Sequence, residues 1–196
     1  ILTLHYYMSK DGSFVKDTSY SYKSNVALIP GKYMSDDEVG VLIVETYNKY
    51  GSKGKIEYVR IVDDRLTMTE VRNDGGINDE DTDYLAMDMN GDGINELMTL
   101  YDDGYKLFRM VWDAYYSFEM YTYGSDVTMD SYLFPNDYNG DGKTDLLYYE
   151  TTRQWRMAFS KGSVFSAPNS CTNTNLLGSV TLNTKDRYKY SLKELQ

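Results

Sequence analysis

Cysteine and histidine are nearly absent from this sequence, which excludes several kinds of chemistry. Cys171 is the one cysteine, so the chain can form neither an internal disulfide nor a CxxC metal site. We interpret it as a thiol without a catalytic role. His5 is the one histidine, and a Ser-His-Asp or Cys-His device would have to use it. We therefore expect no hydrolase of these types and no catalytic residues.

Positive charge and long apolar runs are also scarce. The 30 Asp and Glu residues outnumber the 20 Lys and Arg residues, which gives a formal charge of −10. Nucleic acids and anionic membrane surfaces both require clustered basic residues, so neither is an expected partner. No run of about 18 apolar residues exists, so we expect no membrane insertion. The chain begins at Ile1 without a signal-peptide pattern, and we expect a mature or excised segment.

Tyrosine is abundant and points to sheet structure. The chain has 21 Tyr against 6 Phe and 2 Trp, and tyrosine suits pleated surfaces that are half buried and half wet. No segment has a helical apolar stripe with caps. Short alternating or apolar segments, separated by turn residues, predict strands: "VLIVETY", "KIEYVRIV", "RLTMTEV", "YKLFRMVW", "YSFEMYTY" and "QWRMAF". The sequence therefore predicts an all-β protein.

An internal repeat organises the chain. The segments "AMDMNGDGINELMTLY" (86–101) and "PNDYNGDGKTDLLYYE" (135–150) align without a gap, with a period of 49 residues (137 − 88). The segment "PGKYMSDDEVGVLIVE" (30–45) fits the same frame 56 residues earlier (88 − 32). About 49 residues with four short strands is the size of one propeller blade. A sandwich would not explain a motif that recurs once per unit.

The repeated motif places oxygen-bearing side chains at alternate positions between glycines. Calcium takes six to eight oxygen ligands, and a loop can surround it only by turning sharply. The predicted ligands come from positions 1, 3, 5, 7 and 9, with a backbone carbonyl at position 7: Asp88, Asn90, Asp92, Ile94 and Glu96 in one loop, and Asp137, Asn139, Asp141, Lys143 and Asp145 in the other. About two structural Ca²⁺ ions follow from this pattern.

Other interpretations of the motif fit less well. An EF-hand needs a bidentate Glu at position 12 and flanking helices, whereas position 12 is Thr99 or Tyr148 and strand-like residues follow. Magnesium prefers a stricter octahedron with more waters. A polar turn without metal is the remaining alternative, and the in-frame duplication favours the metal loop over it.

These residues resemble the FG-GAP/VCBS family of calcium-binding β-propeller repeats, known from integrin α-chains and exported bacterial proteins. The resemblance implies blades of about four antiparallel strands in a small or partial propeller, with calcium fixing the loop between two strands. We expect one repeat domain with a partial blade, three recognisable blades and closing strands, at residues 1–25, 26–83, 84–131, 132–170 and 171–196. The family's Gly-Ala-Pro signature is represented here only by Ser166-Ala167-Pro168.

The amino-terminal copy of the motif has lost most of its ligands. Lys32, Met34, Asp36 and Gly40 stand at the ligand positions, so we expect no calcium there. One hypothesis is that the Lys32 ammonium partly replaces the cation by pairing with Asp36 or Asp37. A solvated lysine is the alternative.

Two other acidic segments are weaker candidates. Asp79, Asp81 and Asp83 alternate in "NDEDTDY", but the segment lacks turning glycines, and we interpret it as a linker. The segment "LYDDGYKL" (100–107) is similar to the Tyr-Asp repeats of Rhs-type toxins, but a single copy after a metal loop predicts a hairpin turn.

The sequence therefore predicts a non-catalytic, calcium-stabilised scaffold or recognition module that is secreted or displayed at a cell surface. Its partner would be a protein, a glycan or the rest of a larger parent chain. Two alternatives remain open. One is a shell segment of an Rhs or insecticidal-toxin-complex protein, and the other is an accessory domain of a polysaccharide-degrading enzyme.

Overall fold

A computed structural model describes residues 2–22, 26–35, 37–45, 54–63, 65–73, 77, 82–125, 127–128, 131–149, 154–167 and 169–170. All regular secondary structure in these ranges is β-strand, and every sheet is antiparallel, which confirms the all-β prediction. Within the described ranges, no helix is long and apolar enough to cross a membrane.

The chain begins with a hairpin of two long strands. Strand β1 (Leu2–Lys10) pairs with β2 (Ser13–Tyr22). The turn residues Asp11 and Gly12 have φ values of 51° and 77°, and tight hairpin turns favour such positive angles because they match the strand twist. The Tyr22 hydroxyl donates to Glu57 Oε2 at 2.8 Å, which joins the hairpin to the sheet that follows.

Three four-stranded sheets follow, and in each the strands pair in chain order. The first sheet contains β3 (Val26–Gly31), β4 (Gly40–Glu45), β5 (Ile56–Val62) and β6 (Arg65–Val71). The second sheet contains β7 (Asp83–Met87), β8 (Glu96–Tyr101), β9 (Gly104–Asp113) and β10 (Tyr115–Gly124). The third sheet contains β11 (Tyr132–Asn136), β12 (Asp145–Tyr149), β13 (Trp155–Ala158) and β14 (Asn169–Ser170).

The second sheet lies between the other two and buries both of its faces. Neighbouring residues of a strand point to opposite faces, so Leu97 and Met98 of β8 enter different cores. Leu97 packs in a cluster with Leu42 and Tyr58 of the first sheet. Met98 packs in a second cluster with Tyr148 of the third sheet. Strand β8 is therefore buried without a break from Glu96 to Leu100, including the polar residue Thr99.

All three copies of the repeated motif occupy the same place in their sheets. Each copy connects the first strand of a four-stranded sheet to the second, between β3 and β4, β7 and β8, or β11 and β12. The two intact copies end on the first residue of the second strand, Glu96 or Asp145. The regular order of the strands therefore places each predicted ligand loop at the strand ends of its sheet, where the first strand connects to the second.

Candidate metal-binding loops

Loop 1 (residues 88–96) and loop 2 (residues 137–145) have the same backbone course. Gly91 and Gly93 of loop 1 have φ values of 81° and 85°, and Gly140 and Gly142 of loop 2 have values of 78° and 84°. Residues with a side chain are strained at such angles because their Cβ atom approaches the following carbonyl oxygen, and glycine has no Cβ atom. The glycines thus allow the sharp turns that the sequence pattern predicts.

The first aspartate of each loop accepts hydrogen bonds from both glycines. Asp88 Oδ1 and Oδ2 accept from the Gly91 and Gly93 N–H groups at 2.7 and 2.8 Å. In loop 2, Asp137 Oδ1 accepts from Gly140 at 2.7 Å, and Asp137 Oδ2 accepts from Gly142 at 2.9 Å. The two loops therefore close around position 1 in the same way.

The side chains at positions 3 and 5 also cap backbone N–H groups two residues onward. In loop 1, Asn90 Oδ1 accepts from Asp92 N and Asp92 Oδ1 accepts from Ile94 N, each at 2.8 Å. The corresponding distances in loop 2 are 2.9 Å from Asp141 N to Asn139 Oδ1 and 3.0 Å from Lys143 N to Asp141 Oδ1. Ile94 and Lys143 are the residues whose carbonyls are predicted as ligands.

The carboxylates at position 9 are buried and tie the start of each loop to its end. Glu96 is 3% exposed and Asp145 is 0% exposed. Glu96 Oε2 accepts from Met89 N at 2.8 Å, and Asp145 Oδ2 accepts from Tyr138 N at 3.1 Å. A buried carboxylate without donors would cost several kcal/mol, so these N–H groups make the burial tolerable.

The acids of loop 1 act on one another electrostatically. Burial, together with the negative charges of Asp92 and Asp88, raises the pKa of Glu96 to about 7, and burial is the largest of these causes. The hydrogen bond from the Met89 N–H group partly opposes this rise. The Asp88 and Asp92 carboxylates therefore generate a negative potential at Glu96 that a cation would relieve.

Groups with positive or partly positive charge lie against the carboxylates in both loops. Asn90 Nδ2 donates to Asp92 Oδ2 at 2.9 Å and to Glu96 Oε1 at 3.0 Å, so it lies between two predicted ligands. In loop 2, Lys143 Nζ forms an ion pair with Asp141 Oδ2 at 3.1 Å. The hydrogen bond from the Lys143 side chain lowers the pKa of Asp141 below its ordinary value.

The donor set suits a hard cation, although the carboxylates do not converge as a metal cluster. Among the described residues, no group of three or more His, Cys, Asp or Glu side chains is arranged to hold a metal ion. The loop oxygens point at N–H groups and at the Asn90 amide and the Lys143 ammonium. Carboxylate, amide and carbonyl oxygens are what calcium prefers, so the residues fit the ion in chemistry.

The amino-terminal copy contacts loop 1 directly. The Lys32 N–H group donates to Asn95 Oδ1 at 2.7 Å, and the Asn95 N–H group donates to the Lys32 carbonyl at 2.6 Å. No ion pair of the described residues joins Lys32 to Asp37. Asp36, the other suggested partner of Lys32, lies outside the described residues.

Ser160 is a buried neighbour of both loops that the sequence motif did not reveal. Its N–H group donates to Asp145 Oδ1 at 2.8 Å, and its hydroxyl donates to the Met89 carbonyl at 2.6 Å. Ser160 follows β13 and lies outside the repeated loop motif, and the packing of the second sheet against the third brings it to the loops.

The remaining candidates lie away from these loops or outside the described residues. His5 is exposed on β1, and Cys171, Asp79 and Asp81 are not described. Asp83 is the first residue of β7. The segment "LYDDGYKL" forms the tight connection between β8 and β9, which confirms the predicted hairpin turn.

The chain was compared with protein-family models, curated proteins and solved structures. No family model, no curated protein and no solved structure matches it.

Proposed function

We propose that this chain is a non-catalytic scaffold built from β-propeller blades of the FG-GAP/VCBS type, each intact loop binding one structural Ca²⁺ ion. The observation that carries the proposal is the equivalence of loop 1 and loop 2. Two segments 49 residues apart (137 − 88) make the same set of hydrogen bonds through side chains of the same type.

Electrostatics explains why such loops would bind a cation. Each loop holds three carboxylates within nine residues, and two of the six are fully or almost fully buried. Two Ca²⁺ ions would change the formal charge from −10 to −6 (−10 + 4). An ion that binds only the folded chain adds its binding free energy to the free energy of unfolding.

The stacking of the sheets supports the propeller assignment. Four-stranded antiparallel sheets in chain order, packed face to face, are the construction of propeller blades. The outer face of the third sheet is also apolar and aromatic: Phe134 contacts Trp155 with ring centroids 5.6 Å apart, and Tyr149 contacts Trp155 at 5.1 Å. Phe134 is 38% exposed. A further blade, from this chain or from a larger parent chain, would bury this face.

Exposed aromatic residues of the second sheet support a recognition role. A cavity of about 410 Å³ is lined by residues that include Tyr101, Lys106, Met120 and Tyr123. Lys106 Nζ lies 4.5 Å from the centroid of the Tyr101 ring. Tyrosine presents a flat apolar ring with a polar tip, and such surfaces bind proteins or sugar rings. An exported protein that displays this surface would bind a protein or a glycan through it.

Calorimetric titration with CaCl₂, followed by thermal melting in calcium and in chelator, tests the proposal. We expect two binding sites and a melting temperature about 5–10 °C higher per filled site at a calcium concentration 100 times Kd. Asp141→Ala removes one of the sites. Asp102→Ala makes the same charge change in the β8–β9 turn and keeps both. Absence of binding heat together with identical melting in chelator would reduce both loops to polar turns.

A further inference from the structure

A path of buried hydrogen bonds joins the two loops through Ser160. The Ser160 N–H group donates to Asp145 Oδ1 at 2.8 Å, and its hydroxyl donates to the Met89 carbonyl at 2.6 Å. The Met89 N–H group in turn donates to Glu96 Oε2 at 2.8 Å. The position-9 carboxylates of loop 1 and loop 2 are therefore the two ends of one path.

Every member of this path is withdrawn from water. Glu96 is 3% exposed, Met89 0%, Ser160 5% and Asp145 0%. A buried polar group that loses its partner cannot recover the bond from solvent, so breaking any link is costly. The four residues should therefore move together.

A second contact joins the same two loops along the backbone. The Thr144 N–H group donates to the Asp88 carbonyl at 2.7 Å, so the residue before Asp145 contacts the first residue of loop 1. A Cβ built on Gly91 would lie 3.2 Å from the Gly142 carbonyl oxygen, which shows how closely the loops approach. The ends of loop 2 and the start of loop 1 thus share one packed region.

We propose that Ser160 is a positioning residue that couples the two loops, so that calcium binding at one loop raises the affinity of the other. The proposal rests on the calcium function proposed above. When residues 144–145 are held in place, Ser160 and Asp88 are held with them, and Met89 and Glu96 follow. Loop 1 then loses less conformational freedom on binding, which gives positive cooperativity. The coupling is reciprocal because both sites share one thermodynamic cycle.

Calcium titration of single-site variants measures the coupling. Asp141→Ala leaves loop 1 alone, and Asp92→Ala leaves loop 2 alone. We expect each isolated loop to bind Ca²⁺ at least about fivefold more weakly than it does when the other loop is filled. The affinity ratio measured at loop 1 must equal the affinity ratio measured at loop 2, because both belong to one thermodynamic cycle.

Variants at Ser160 then assign the coupling to its hydroxyl. The coupling factor is the factor by which calcium in one loop raises the affinity of the other loop. Ser160→Ala should keep two sites but lower the coupling factor to the value that the backbone contact between Thr144 and Asp88 supports alone. Ser160→Thr retains the hydroxyl and should restore the wild-type coupling factor. Ser166→Ala is the matched control, because the Ser166 hydroxyl accepts from Phe159 N at 2.9 Å in the same connection and is not part of the path.

The outcomes separate this proposal from the calcium proposal. If the single site left in Asp141→Ala and the single site left in Asp92→Ala each bound Ca²⁺ as tightly as the same loop does in the wild type, the coupling would be overturned and calcium binding would stand, even if Ser160→Ala failed to fold. If Ser160→Ala left the coupling factor at its wild-type value, the Ser160 hydroxyl would not carry the coupling. A chain that binds no calcium would overturn both proposals.

Discussion

At the scale of the residue, Glu96 carries the largest electrostatic cost in the candidate site. It is buried beside two other carboxylates of the same loop, and its donors are the Met89 N–H group and the Asn90 amide. Burial and the nearby charges raise its pKa to about 7 from 4.5. Under the calcium proposal the same carboxylate is a ligand, and the cost would then belong to the metal-free protein.

This cost predicts the direction of the pH dependence in chelator. Below pH 4.5 Glu96 is protonated in both the folded and the unfolded chain, and the penalty is absent. As the pH rises toward 7, the unfolded chain ionises first, so the free energy of unfolding falls by about 3 kcal/mol in total. The lowered pKa of Asp141 acts below 3.8 and does not contribute in this window.

Urea unfolding in chelator at pH 5 and pH 8 measures this change. Glu96→Gln should remove most of the decrease in unfolding free energy, because glutamine does not ionise. Glu119→Gln is the control, since the Glu119 side chain is 60% exposed in a surface ion pair. If Glu96→Gln kept the wild-type difference between the two pH values, another group would be responsible.

At the scale of the element, the sequence predicts strands and loops well and contacts between sheets poorly. The segments 56–62 and 65–71 alternate clearly and form β5 and β6, because strand periodicity is local. The loops are predictable because glycine and Asx residues act within a few positions of themselves. Ser160 could not be found this way, since its partner Met89 is 71 residues away and only packing joins them.

The loop backbone supplies a prediction about conformational strain. Gly142 has a φ of 84°, and a Cβ added there would meet no atom within 4 Å. Gly142→Ala should therefore destabilise the metal-free protein by about 1–2 kcal/mol through backbone strain alone. Gly142→Asn should cost less, because asparagine tolerates this region better than alanine does. Urea unfolding in chelator measures both, and an alanine variant as stable as wild type would mean that the turn opens without metal.

At the scale of the whole molecule, the second sheet shares a core with each of its neighbours, and we expect this to decide how the chain unfolds. Repeat proteins can lose their units one at a time when the contacts between neighbours are weak. Here Phe108 of the second sheet is fully buried in the core that the first and second sheets share. Leu146 of the third sheet is fully buried in the core that the second and third sheets share. Two complete interfaces on one central sheet favour a single cooperative transition.

The two tryptophans make this cooperativity measurable, since Trp112 lies in β9 of the second sheet and Trp155 in β13 of the third. In Trp155→Phe and Trp112→Phe proteins, each remaining tryptophan should report the same urea midpoint. Phe108→Ala leaves a cavity and should lower the unfolding free energy by about 3–5 kcal/mol. Both urea midpoints should fall together. Phe14→Ala, at a residue 79% exposed on the hairpin, should change neither. A Trp155 transition unmoved by Phe108→Ala would show that the third sheet unfolds independently, because the cavity would then be felt on one side of the central sheet only.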